Sequence, residues 1–155
     1  MVISLLDFLR TGQLGGIELG MSLDAVKALF GESVKWDGSF SVSLWFERDE
    51  LKCLELEYGF DPDGDTGMKQ LHEVSSSLEV DLNGINLFSN FSQILKIVED
   101  CDLISAEEVG WLSDTWCDEF NFKSGIFLRF YEKDIYPMIT VRLGKRTNNS
   151  TLLKL

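Results

Sequence analysis

Apolar residues recur along this chain with two different periods. Val2, Ile3, Leu5, Leu6, Phe8 and Leu9 crowd residues 2–10, and their spacing predicts a short helix ending before Gly12. Ser22 has the chemistry of an N-cap, with Asp24 in the first turn after it. Leu23, Val26, Leu29 and Phe30 then follow at helical spacing until Gly31 stops the run. From residue 40 the period falls to two. Residues 40–47 and 51–59 read as a hairpin closed by Arg48, Asp49 and Glu50. On its second strand Leu54, Leu56 and Tyr58 share one face, and Cys53, Glu55 and Glu57 the other. Residues 61–67 (DPDGDTG) form a loop, and 74–82 add a strand. Asn90 caps a second helix whose apolar stripe is Phe91, Ile94, Leu95, Ile97 and Val98. Strands follow over about 116–123, 126–132 and 137–143, with a short one near 103–109. The polar tail from Lys145 is expected to be loose until Leu152.

Residues 16–30 (GIELGMSLDAVKALF) align without a gap on residues 84–98 (GINLFSNFSQILKIV). Gly16/Gly84, Ile17/Ile85 and Leu19/Leu87 are identical, and Ser22/Asn90 are both caps. Leu23/Phe91, Val26/Ile94, Leu29/Ile97 and Phe30/Val98 are apolar in both. Each copy leads into strands, so the chain divides into two units, 16–83 and 84–151, within one domain spanning 1–155. The expected fold is α+β: an antiparallel sheet with helices on one face, in two tandem helix-plus-sheet units.

Composition fits that reading. A chain of 155 residues with 45% hydrophobic residues and two prolines can build a core, which excludes the disordered and collagenous classes. The net charge of −12 argues against bare nucleic acid and anionic membranes as partners. Asp7 and Arg10 interrupt the first apolar run, as they would not in a secretory signal, and no stretch reaches the length of a membrane span. A cytoplasmic location is expected, with Cys53, Cys101 and Cys117 reduced and structural.

The charge is unevenly distributed. Residues 47–122 hold 19 acidic and four basic side chains, whereas 123–155 hold two acidic and seven basic ones. No base lies between Lys96 and Lys123, a window containing Glu99, Asp100, Asp102, Glu107, Glu108, Asp114, Asp118 and Glu119 with Trp111 and Trp116 among them. Acids around aromatic anchors suit a basic protein partner: charge steers the encounter and the rings supply buried area. The plainer alternative is a solvated acidic surface with both tryptophans in the core.

Motifs for catalysis are weak. Asp61, Asp63 and Asp65 imitate the start of a calcium loop, but Thr66 stands where the turn needs Gly and the terminal Glu comes one residue late, at Glu73. His72 is the single histidine; Ser75, Ser76 and Ser77 lie close, but no nucleophile elbow accompanies them. Glu55 and Glu57 are a carboxylate pair of a kind that arises by chance in so acidic a chain. Gly12, Gly15 and Gly16 lack the order and the Lys-Ser/Thr of a phosphate loop. No cofactor, metal site or enzymatic activity is expected.

The run Gly20-Met21-Ser22-Leu23-Asp24-Ala25-Val26, ending in Leu29-Phe30-Gly31, resembles the pattern G-M-[ST]-x-x-x-V-x-x-L-x-G. That pattern opens the helix in the beta-lactamase inhibitor protein and in small barrel-assembly lipoproteins. The resemblance covers about a dozen residues and implies a helix-on-antiparallel-sheet fold; the inhibitor is a tandem duplication whose sheet face grips an enzyme. This chain departs from both in lacking a signal peptide, a lipid-anchor Cys and a disulfide set, which argues against an extracellular inhibitor or an envelope lipoprotein. As an acidic, single-domain protein of the cytoplasm it is similar to bacterial toxin-immunity proteins of the polymorphic and contact-dependent kind. That similarity implies stoichiometric inhibition of a basic toxin, often a nuclease, and carries over no site residue. The residues expected to meet the toxin are Asp102, Glu107, Glu108, Asp114, Asp118 and Glu119 as charges, and Trp111 and Trp116 as anchors. The alternative is a scaffold or regulatory domain binding a small ligand or metal on its sheet face.

Overall fold

Strand β1 (Val2–Ser4) and helix α1 (Leu5–Thr11) open the chain in the computed structural model, which describes residues 2–30, 40–59, 79–112, 115–131, 138–145, 147 and 150–154. The single helix expected over 2–10 is thus divided, and Ser4 divides it. Its hydroxyl accepts the Asp7 amide (3.3 Å) as a cap and donates to Asn83 Oδ1 (3.0 Å), which also takes the Leu6 amide. A residue before a cap is extended, so Val2–Ser4 is free to pair in parallel with β4 (Glu79–Asp81). The rest of the expected 74–82 strand lies outside the described residues, as do the Asp61–Asp65 loop and His72. Gly12 ends α1 at φ +76, sending its amide back to the Phe8 carbonyl.

Helix α2 (Leu23–Phe30) leads to strands β2 (Phe40–Glu47) and β3 (Glu50–Gly59). Arg48 and Asp49 between them have φ of +53 and +61, the left-handed pair that a two-residue hairpin requires. Helix α3 (Phe91–Val98) carries a capping box, in which Asn90 Oδ1 accepts the Gln93 amide and Gln93 Oε1 accepts the Asn90 amide, both at 2.9 Å. Then come β5 (Leu103–Leu112), β6 (Thr115–Phe122), β7 (Ile126–Tyr131), β8 (Met138–Gly144) and β9 (Thr151–Lys154). Strand β5 is longer than the short strand expected near 103–109. The tail expected to be loose is instead held at the sheet edge, where β9 pairs with Ser43–Phe46 and the Thr147 hydroxyl reaches Glu47 (3.1 Å).

The main sheet is antiparallel throughout, in the order β5-β6-β7-β8-β3-β2-β9. Its strands alternate as period-two sequence demands: in β7, Ile126, Leu128 and Phe130 are buried while Phe127, Arg129 and Tyr131 are half-buried. The buried set forms one core with Leu5, Phe8 and Leu9 of α1, Val26 of α2, and Ile94 and Val98 of α3. The fold is therefore α+β, with helices on one face of the sheet. Phe91 of α3 stacks on Phe120 of β6 at 5.1 Å between centroids. The Ser124 hydroxyl donates to the Leu9 carbonyl (2.6 Å), tying α1 to the β6–β7 turn. Gly144 closes β8 at φ +81, where a Cβ would strike the Lys52 carbonyl. Among the described residues no helix is long and apolar enough to cross a membrane.

Candidate functional site

Among the described residues strand β5 is the last strand on its side of the sheet, and its pairing with β6 is interrupted twice. The register jumps from Leu103↔Phe122 to Ser105↔Asn121, and again from Glu107↔Glu119 to Gly110↔Cys117. Each jump leaves an unmatched residue on the edge strand, the signature of a bulge. Ile104 sits at the first and is 69% exposed; Glu108 sits at the second and is exposed. Asp102, exposed at φ +55, lies in the turn just before the strand, and its carbonyl accepts the Lys123 amide (2.9 Å). Glu107, also exposed, lies between the bulges.

Glu107 stands directly across from Glu119, a like-charge pair that costs stability unless one member is neutralised. Glu119 is the one neutralised. Its Oε2 accepts Arg129 Nε (2.7 Å) and its Oε1 accepts Asn121 Nδ2 (2.9 Å). Burial pulls the Arg129 pKa down, but the bond to Glu119 and the charge of Glu119 outweigh it and hold the pKa above the ordinary arginine value. Glu107, Glu108 and Asp102 have no cation partner among the described residues. Farther in, the Arg142 guanidinium is bound to Glu55, which is only 4% exposed, and Arg129 and Arg142 lie over the Phe127 ring at 4.2 and 5.5 Å. Charge on this sheet face is thus compensated at the centre and uncompensated at the β5 edge.

The eight residues expected to meet a partner therefore separate. Glu107 and Glu108 are exposed on β5, and Asp102 is exposed in the turn just before it. Glu119 is only 18% exposed and engaged by Arg129. Asp118 corrects the expectation: it is 8% exposed, because strand alternation puts it on the helix-covered face with Phe120 and Phe122. Trp111 and Trp116 are cross-strand partners in the β5–β6 register; their side chains, and Asp114, lie outside what is described. Ile104 was missed. Its signal was the adjacent pair Leu103-Ile104, since a regular strand can bury only one of two neighbours on a given face. Cys101 and Cys117 are buried thiols whose pKa burial pushes above 9.0, with Arg10 and Arg129 respectively opposing. Among the described residues no group of three or more His, Cys, Asp or Glu could hold a metal ion.

Compared with family models, curated proteins and solved structures, the chain matches none.

Proposed function

We propose that this protein is a stoichiometric inhibitor of a basic protein, acting in the cytoplasm as an immunity protein against a bacterial toxin. One observation carries the reading: Glu107 and Glu108 on the edge strand, and Asp102 in the turn before it, are exposed without cation partners among the described residues, around the exposed Ile104. Rim acids raise the association rate for a basic partner, and an apolar side chain among them gives buried area once contact is made. No catalytic group is needed for inhibition by coverage.

The test is direct for an immunity protein, whose gene adjoins that of its toxin. The protein encoded next to this one should arrest growth when expressed alone and be silenced by co-expression, with the two purifying as a complex. Association should slow steeply as salt rises, since the Debye length is only about 8 Å at physiological ionic strength. Charge reversal at Glu107 and Glu108 should slow it far more than reversal at Glu18 and Asp24. A complex that forms at a salt-independent rate and ignores the reversals would remove β5 from the interface.

A further inference from the structure

We propose that β5 takes its partner by strand addition, with a short basic extended segment of the partner protein lying along the free edge. The inference rests on the protein-binding reading above and specifies its geometry. Among the described residues, β5 has a neighbour on one side only, so its outer backbone groups are those an added strand would use. The acids decide which strand. A second copy of β5 would bring Glu107 and Glu108 against their own counterparts, and a neutral strand would leave them uncompensated. A Lys or Arg beside Glu107 would complete the row that runs from Glu107 through Glu119 to Arg129. Glu119 already holds Arg129 and Asn121, so Glu107 is the carboxylate of the row without a cation among the described residues. Between the bulges at Ile104 and Glu108 the regular stretch is Ser105–Glu107, with pairing resuming only at Gly110, so the segment added beside Glu107 is short. Ile104 flanks that stretch and offers it an apolar contact.

The experiment uses the full-length protein with synthetic peptides. One alternates Lys and Val; the second keeps the Lys residues but replaces alternate Val by Pro, which removes the amides needed for pairing. The third alternates Glu and Val. The Lys-Val peptide should bind and slow amide exchange across Ser105–Glu107, the Pro-containing peptide should bind about tenfold more weakly without that protection, and the Glu-Val peptide should not bind. Glu107→Lys with Glu108→Lys should abolish Lys-Val binding. The lysine placed at 107 faces Glu119, so unchanged exchange in the core strands verifies that the variant is folded. If both basic peptides bind equally and β5 stays unprotected, strand addition is wrong while an acidic docking surface remains. If protection appears elsewhere in the sheet, or no basic peptide binds, β5 is not the docking edge.

Discussion

The two helix-and-hairpin regions share a sequence pattern but are anchored differently. Both helices are eight residues long, and each leads into an antiparallel hairpin. In the first region the hairpin turns back to hold the helix. The Gly20 amide donates to the Leu51 carbonyl (2.9 Å), the Leu51 amide to the Met21 carbonyl (2.8 Å), and the Asp49 carboxylate accepts the Leu23 amide (3.0 Å). In the second region the helix caps itself through Asn90 and Gln93. The loop before it is closed on its own side chains: Asn86 Oδ1 accepts the Phe88 amide and Ser89 Oγ the Asn86 amide. Position 88 is a Phe standing 77% exposed where the first region has Gly20. Helix α3 meets its hairpin through side chains, with Phe91 on Phe120. The outer edge of β2 is covered by β9, whereas among the described residues no strand lies beyond β5, where the exposed acids gather.

The strongest way to break this comparison is through the cores beneath the helices. Val26 is the residue of α2 described as buried, whereas α3 buries Ile94 and Val98 and stacks Phe91 on Phe120. Phe120→Ala should therefore cost about 3–5 kcal/mol in chemical denaturation, and Val26→Ala about 1–2 kcal/mol. Equal losses would mean that α2 is held as tightly as α3, and the asymmetry would be wrong.

The seam between the two regions comes next. Strand β8 joins β7 to β3, and Arg142 meets Glu55 directly across it. Arg142→Ala would leave the carboxylate of a nearly buried Glu55 without its cation, at a cost of about 3 kcal/mol. Adding Glu55→Leu to that variant should recover most of the loss, because the penalty lies in the orphaned charge. No recovery would mean that Arg142 acts through its packing on Phe127 instead.

Caps give a smaller contrast. Asn90→Ala should cost about 1 kcal/mol, the usual worth of an N-cap. Asp49→Ala should cost at least as much, since Ala loses the Leu23 bond and must still adopt a left-handed φ. Hydrogen exchange locates the damage: at α3 alone for Asn90, but at both the hairpin and α2 for Asp49. Damage confined to the turn would separate α2 from its hairpin.

Much of this architecture was legible in the sequence, and the reasons are local. The caps at Ser22 and Asn90, the stripe ending at Val98 and the alternation of Ile126–Tyr131 are short-range signals that burial then reinforces. What escaped depends on distant partners. Val2–Ser4 is extended because Asn83 and β4 are there to receive it, and Thr151–Lys154 because β2 has an open edge. At the candidate site, acidity marked Glu107 and Glu108, but composition could not separate them from Asp118. Only the strand parity of β6 turns that carboxylate inward. Nor could it show that Arg129, ten residues away, neutralises Glu119.

The mildest effect should appear at alkaline pH and fall on the second region. Cys101, in the corner after α3, and Cys117, on β6, are buried, and burial raises the pKa of each above 9.0. The unfolded chain therefore releases these protons at lower pH than the folded one does. Their contribution to stability is whole below the ordinary thiol pKa and declines as pH rises through the folded values. A denaturation midpoint measured across that range should fall. Cys101→Ala with Cys117→Ala, although less stable at neutral pH for want of two buried sulfurs, should show a shallower decline. At neutral pH both thiols should react slowly with alkylating agents, and faster once α3 is loosened by Asn90→Ala. If the double variant kept the full alkaline slope, the loss would belong to other titrating groups and would not distinguish the two regions.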